Sequence, residues 1–289
     1  MHLLTHGPDG FRRWLVRISP PLIALALTAC GNDGDNGNSG TGGFGFGGTG
    51  SGGTGSTPQG CESTGAEGAT VAIPAGDFLM GCNAGVDREC KPDEMPGRAV
   101  TLSAFEIDKT EVTQDQYAAC VAAGQCSAPS CAWDCAAMNN PASCLTLDQA
   151  KGFCAWAGKR LPTEAEWEKA ARGEDGRKYP WGNGEPSCEQ ANMQGCSGGM
   201  QPVGQHPVGA SPYGVLDMSG NMVEMVADWY DDTYYQTAPA VDPTGPASGS
   251  RYVGRGGGWK SEPTWQRASV RDVYDPEDAG LSLGFRCAR

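Results

Sequence analysis

Residues 158–173 read GKRLPTEAEWEKAARG. Thr163 follows Pro162 and precedes Glu166 by three positions, which is the spacing of a capping box. The Thr163 hydroxyl can accept from the Glu166 N–H, and the Glu166 side chain can reach back to the Thr163 N–H. Gly173 can take the left-handed conformation that ends a helix. A helix between them places Trp167, Ala170 and Ala171 on one narrow apolar face, and Glu164, Glu168 and Lys169 are expected to face water.

The same grammar occurs twice upstream. Thr113 with Gln116 opens TQDQYAACVAAG and stops at Gly124; Thr146 with Gln149 opens TLDQAKGFCAWAG and stops at Gly158. Before these helices, TVAIPAGDFLMG (70–81) predicts a strand interrupted by a Pro-Ala-Gly turn. AVTLSAFEID (99–108) alternates apolar and polar and predicts a second strand. After position 173 no long helix is expected. Gly, Pro, Asn and aromatic residues dominate, so short strands and long ordered loops are the natural outcome. The expected class is α+β, an irregular, loop-rich single domain over 66–289.

The N-terminus reads as an address. Arg12, Arg13 and Arg17 precede an apolar run from Leu22 to Leu27 that ends in LTAC at 27–30. A basic region, a short apolar core and small residues make an export signal over 1–29, too short to span a bilayer comfortably. The Leu-Thr-Ala-Cys end resembles a bacterial lipobox and implies lipidation of Cys30. Gly31 follows, and the absence of aspartate there argues against inner-membrane retention. The expectation is a protein lipid-anchored to the bacterial cell envelope, on the outer membrane. Fourteen of residues 31–60 are glycine. Such a segment cannot bury enough apolar area to order itself, and 30–65 is read as a tether of roughly 30 Å reach.

The formal charge is −13. This argues against a nucleic-acid partner, whose phosphates require a basic footprint, and against anionic membrane docking by protein charge alone. Twelve of the thirteen cysteines follow Cys30. In an exported chain they read as a disulfide framework, and with no CxxC and only His206 in the mature chain a zinc site lacks its ligands. Short separations suggest Cys82–Cys90, Cys120–Cys126 and Cys188–Cys196. The pairing of Cys61, Cys131, Cys135 and Cys144 stays open.

Seven motifs accumulate in order: GDFLMG (76–81), EVTQDQY (111–117), GKRLPTEAEWEKAARG, YPWG (179–182), PVG…YGVLDMSGN (207–221), RGGGW (255–259) and GFR (284–286). Together they resemble the formylglycine-generating enzyme family, the sulfatase-modifying factor domain, over about 70–289. The resemblance implies an irregular fold related to C-type lectins and a Cys154–Cys287 bridge. It also implies an oxidation in which two thiolates just beyond the Gly-Gly-Ser segment bind Cu(I) and oxidise a substrate cysteine with O₂.

Here the chain departs from the pattern. Ser197 to Arg286 contains no cysteine. Ser261 stands near the first thiol position, Gln266 or a neighbour near the second, and Gly258 replaces the usual serine. Hydroxyl and amide are poor ligands for Cu(I), which soft thiolates select, so copper is not expected. The related iron branch needs a histidine cluster that one His206 cannot build. By the same resemblance, calcium is the candidate cofactor, at Asn221 and Glu224 of GNMVE and at Asn192 with Met193 of QANMQG. Ser261, Arg267, Arg271 and Trp259 form the candidate cleft, and Arg286 is expected to be buried and structural. ADWYDDTYYQ (227–236) raises a sugar-binding reading against the plainer one of a core Trp229 beside an acidic loop. The functional expectation is a domain that binds a protein, peptide or glycan without oxidising cysteine; the alternative is formylglycine synthesis or altered chemistry in the same cleft.

Overall fold

The computed structural model describes Cys61, residues 63–65 and residues 67–289. The export signal, Cys30 and most of the tether lie outside the described residues.

The first two predicted strands form one long antiparallel hairpin with a kink. β1 (Thr70–Ile73) pairs with β4 (Phe105–Asp108), and β2 (Gly76–Met80) pairs with β3 (Arg98–Leu102). Both halves share a single register. The ladder lapses only at residues 74–75 and 103–104, where Pro74 lacks an N–H to donate. Lys169 closes the break from below: its ammonium donates to Pro74 O at 2.8 Å and Gly76 O at 2.9 Å.

The three helices are α1 (Gln114–Ala122), α2 (Leu147–Trp156) and α3 (Glu164–Arg172), each opened by its full capping box. Gly124, Gly158 and Gly173 follow them with φ of 68°, 69° and 70°. Beyond α3 come β5 (Val223–Trp229), β6 (Tyr252–Arg255), β7 (Asp272–Tyr274) and β8 (Leu283–Phe285), with one four-residue helix, α4 (Tyr234–Thr237), between β5 and β6. They form one sheet in the order β7-β6-β5-β8, antiparallel except for the parallel β5–β8 pair.

β5 divides the interior. Successive side chains on a strand point to opposite faces. Val226 packs into one core with Ile73, Phe78, Trp167 and Val253. Met225 packs into the other with Val112, Tyr117, Phe153 and Phe285. The sheet is thus covered by the hairpin and α3 on one side and by α1 and α2 on the other.

Six disulfides staple the loops. Cys82–Cys90, Cys120–Cys126, Cys188–Cys196 and Cys154–Cys287 are present, and the four remaining thiols pair as Cys61–Cys135 and Cys131–Cys144. Cys154–Cys287 ties α2 to the residue after the GFR motif. Cys61–Cys135 fastens the N-terminal edge of the described residues, and Thr64 reinforces it by donating N–H and hydroxyl to Asp115 at 2.8 and 2.6 Å.

One expectation fails. Glu164, Glu168 and Lys169 do not face water; all three are 0% exposed. The reason is long-range pairing, which local periodicity cannot report.

Candidate functional site

α3 lies under the sheet, and its carboxylates meet arginines from the last third of the chain. Glu164 Oε1 accepts from Arg271 Nε at 2.8 Å and Arg255 Nη1 at 3.3 Å, and Glu164 Oε2 accepts from Arg271 Nη2 at 3.2 Å. Glu168 accepts from Arg255 Nη2 at 2.6 Å, from Arg172 Nη1 at 2.9 Å and from the Gly81 N–H at 2.7 Å. Burial works against the Arg271 charge, but Glu164 outweighs it and raises the pKa. Asp228 accepts the Glu164 N–H at 2.8 Å. Burial, reinforced by the Glu164 charge, pushes the Asp228 carboxyl up to about 8.

Two further arginines are held the same way. Arg267 reaches Asp87 at 2.8 Å and Glu94 at 2.7 and 2.8 Å. Arg286 is bidentate to Glu224, both contacts 2.7 Å, and Glu224 also accepts the Trp167 indole N–H at 2.9 Å. The RGGGW, GFR and TEAEWE motifs are therefore ends of one buried ion-pair lattice. A buried pair without its partner is strongly destabilising, which accounts for these residue types by structure alone.

The glycine turn sits above this lattice. Gly256 and Gly257 have φ of 88° and 64°, and a Cβ on Gly257 would lie 2.8 Å from Trp265 O. Only glycine suits that place. The turn is closed by Ser261, whose hydroxyl accepts the Gly258 N–H at 3.0 Å and whose N–H donates to Gly258 O at 2.8 Å. Ser261 is half-buried and lines a shallow cleft of about 380 Å³ with Gln194, Lys260, Glu262, Trp265 and Asp272. Gln194 N–H donates to Ser261 O at 3.0 Å, which brings the Cys188–Cys196 loop to the rim.

Of the candidate cleft residues, only Ser261 lines this cleft. Arg267 and Arg271 do not, because both are fully engaged in the lattice at 1% and 2% exposure. Trp259 is half-buried beside it, its Nε1 without a partner. Gln266 is fully buried, and neither its Oε1 nor its Nε2 is bonded. Trp265, Glu262 and Gln194 were missed by sequence reasoning; Trp265 carried the one available signal, an aromatic four residues past the serine that closes the turn.

The residues expected to hold calcium are otherwise occupied. Glu224 commits both oxygens to Arg286 and Trp167. Asn221 Oδ1 accepts from Gln201 N at 2.9 Å and Asn192 Nδ2 at 3.3 Å, while Asn192 Oδ1 accepts the Ser197 hydroxyl at 2.6 Å. Met193 is buried beside them. Calcium takes about six to eight oxygens. With these engaged, and Arg286 already supplying the positive charge, the set does not fit a calcium centre. Glu111 accepts the Asn221 amide at 2.9 Å and has an orphaned Oε2. Burial, with Asp217 and Glu224 adding to it, holds its pKa well above the usual range. His206 hydrogen-bonds to Gln201 and Glu189 O and, among the described residues, joins no cluster of ligands. In the acidic run 227–236, Trp229 is half-buried and Asp228 and Tyr235 are buried, while Asp231 and Asp232 are exposed.

The sequence profile of the sulfatase-modifying factor enzyme 1-like domain matches residues 57–289. The formylglycine-generating enzyme of Thermomonospora curvata is 32% identical over 283 residues, covering 75% of this chain and 92% of that one. The serine/threonine-protein kinase Pkn1 of Chlamydia caviae is 34% identical over 241 residues, but the match spans only 37% of that protein. Among solved structures, PvdO from Pseudomonas aeruginosa aligns with a TM-score of 0.67 at 29% identity over 76% of this chain and 93% of that one. With the profile covering the whole folded region, the chain belongs to the sulfatase-modifying factor enzyme 1-like family.

Proposed function

We propose that this chain is an exported protein, lipid-anchored to the cell envelope through Cys30, whose domain binds a ligand in the cleft beside Ser261 and does not oxidise cysteine. The observation that carries this reading is the state of the sulfur. All twelve cysteines of the folded region are joined in disulfides; Ser261, which closes a turn, stands near the first copper-thiolate position, and the buried Gln266 or a neighbour near the second. Neither offers the soft donor that Cu(I) requires. The competing reading, altered chemistry through Ser261, Arg267 and Arg271, is disfavoured because both guanidiniums are saturated by Asp87, Glu94 and Glu164. The lattice instead makes the cleft a rigid platform, which suits binding.

The test is direct. Purified protein supplied with Cu(I), O₂ and a Cys-x-Pro-x-Arg peptide should leave the cysteine unchanged by mass spectrometry. Formation of formylglycine would defeat the reading. For the anchor, the wild-type chain should incorporate labelled palmitate and sediment with membranes, and Cys30→Ala should do neither.

A further inference from the structure

We propose that the chain carries a second binding site, for a neutral sugar ring, in the cavity where α1 and α2 meet the segment entering β1, with Trp156 as its stacking face. The cavity shares no lining residue with the cleft beside Ser261, so this inference goes beyond that reading and does not depend on it.

The site is assembled from the ends of regular elements. Trp156 is the last residue of α2. It is 42% exposed, and no other tryptophan is exposed among the described residues. Phe153 packs beside it, with 5.7 Å between ring centres and 52° between planes. Both rings line a cavity of about 390 Å³, a size typical of small-molecule sites. Gln116 of α1 lines it too, and the capping box pins that side chain. Gln116 Oε1 accepts the Thr113 N–H at 2.9 Å, which leaves Nε2 without a partner among the described residues. Gly68 keeps the space before this amide open, since a Cβ there would lie 2.8 Å from Nε2. Glu67 is exposed, lines the same cavity, and its carboxylate has no partner among the described residues.

The cations of the lining are engaged. Lys159 donates to Asp108 Oδ1 at 2.6 Å, and Asp108 Oδ2 accepts the Cys287 N–H at 2.9 Å. Arg289 donates to Glu106 at 2.6 and 2.9 Å. An anion would therefore meet Glu67 and find both lining cations already paired. A cation would meet Lys159 and Arg289 beside a single solvated carboxylate, a pairing of little worth. What stays open is an aromatic surface, one carboxylate and two donors, the Gln116 amide and the Trp156 indole N–H. A pyranose matches this set. The C–H groups of one ring face lie on the electron-rich indole face, neighbouring hydroxyls donate to the carboxylate, and a hydroxyl or ring oxygen accepts from the amide. A flat heteroaromatic ring would favour a slot between parallel faces, and Phe153 is tilted against Trp156.

The experiment uses the full chain in detergent and five probes: methyl β-glucoside, N-acetylglucosamine, cellotriose, chitotriose and glucuronic acid. Saturation-transfer NMR and tryptophan fluorescence follow binding. The expected result is millimolar or tighter binding of at least one neutral sugar, insensitive to salt, with glucuronic acid weaker than glucoside. Tighter binding of a trimer than of its single ring assigns the site to a glycan chain, and equal binding assigns it to a free or terminal ring. Trp156→Ala should weaken binding about tenfold or more, and Trp156→Phe less. Glu67→Gln should weaken it roughly three- to tenfold. Gly68→Ala should also weaken it, by closing the space before the Gln116 amide. Circular dichroism checks that each variant is folded, and Glu67→Gln, at an exposed position, decides the matter if Trp156→Ala is not. No binding of any neutral sugar by the wild-type chain, tighter binding of glucuronic acid than of glucoside, or an affinity unchanged in folded Trp156→Ala or in Glu67→Gln would overturn the proposal. The copper and peptide test concerns the cleft alone, so either result there leaves this one standing.

Discussion

Glu164→Gln tests the buried lattice at its hub. The substitution keeps the shape of the side chain and removes its charge. Glu164 is 0% exposed and is, among the described residues, the only carboxylate that Arg271 contacts; the other Arg271 bonds go to the carbonyls of Asp93 and Asp231 at 3.1 and 3.0 Å. Glutamine leaves one oxygen to accept and turns an amide NH₂ toward a guanidinium. Removing one member of a buried pair costs about 3–5 kcal/mol. For a domain of this size that lowers the melting temperature by roughly 6–20 °C. If Glu164 lay on a solvated helix face, as periodicity alone predicts, the cost would stay within about 0.5 kcal/mol. Glu277→Gln, at an exposed position, is the matched control. Urea unfolding under oxidising conditions, followed by far-ultraviolet circular dichroism and tryptophan fluorescence, measures both variants. A loss below about 1 kcal/mol for Glu164→Gln, with the control unchanged, would refute the lattice as a determinant of stability.

Asp228 makes stability depend on pH. Its carboxyl titrates near 8 when folded and near 4 when unfolded, so the folded state holds the extra proton between those values. Stability should fall as pH rises from about 4 to 8 and then level off; Asp228→Asn should flatten that decline, as read by urea midpoints across the range. Removing the Cys154–Cys287 bridge opens a separation of 133 residues, whereas Cys120–Cys126 spans 6. Loop entropy makes the first worth about 5 kcal/mol and the second about 2 kcal/mol, so paired serine substitutions should differ in that order in the same assay. Gly257→Ala forces a left-handed φ on a residue whose Cβ meets Trp265 O at 2.8 Å, and should lose more than about 1 kcal/mol.

The parts of the fold that the sequence made legible are local ones. Each of the three long helices starts at a hydroxyl with a Gln or Glu three residues on and stops at a glycine, so the signal and its cause lie within one turn. Close cysteine pairs are legible for the same reason. Cys61–Cys135 and Cys131–Cys144 are not, since four thiols allow several pairings and only tertiary geometry selects one. The charged residues of α3 were misread because their partners lie far along the chain, Arg255 being 91 positions from Glu164. A helix of nine residues with so narrow an apolar face, in a chain with Arg255, Arg267, Arg271 and Arg286 clustered late, was the available hint. The candidate cleft failed at Arg267 and Arg271 for the mirror reason: these arginines complete the α3 and hairpin side of the core. Ser261 lines the cleft because the glycines before it fix its turn.

The lattice also governs when this chain can fold. Arg255, Arg267, Arg271 and Arg286 all lie within the last thirty-five residues, and among the described residues Glu94, Glu164 and Glu224 make their ion pairs with these arginines alone. Until that final stretch is available, burying α3 would strand carboxylates in an apolar interior, which is prohibitive. A chain emerging N-terminus first therefore stays open until synthesis is nearly complete. Under the export proposed above, the chain has to cross a membrane before it closes, and the late arginines delay that closure. Contacts of such sequence separation also make folding slow, which on the same proposal lengthens the interval for translocation.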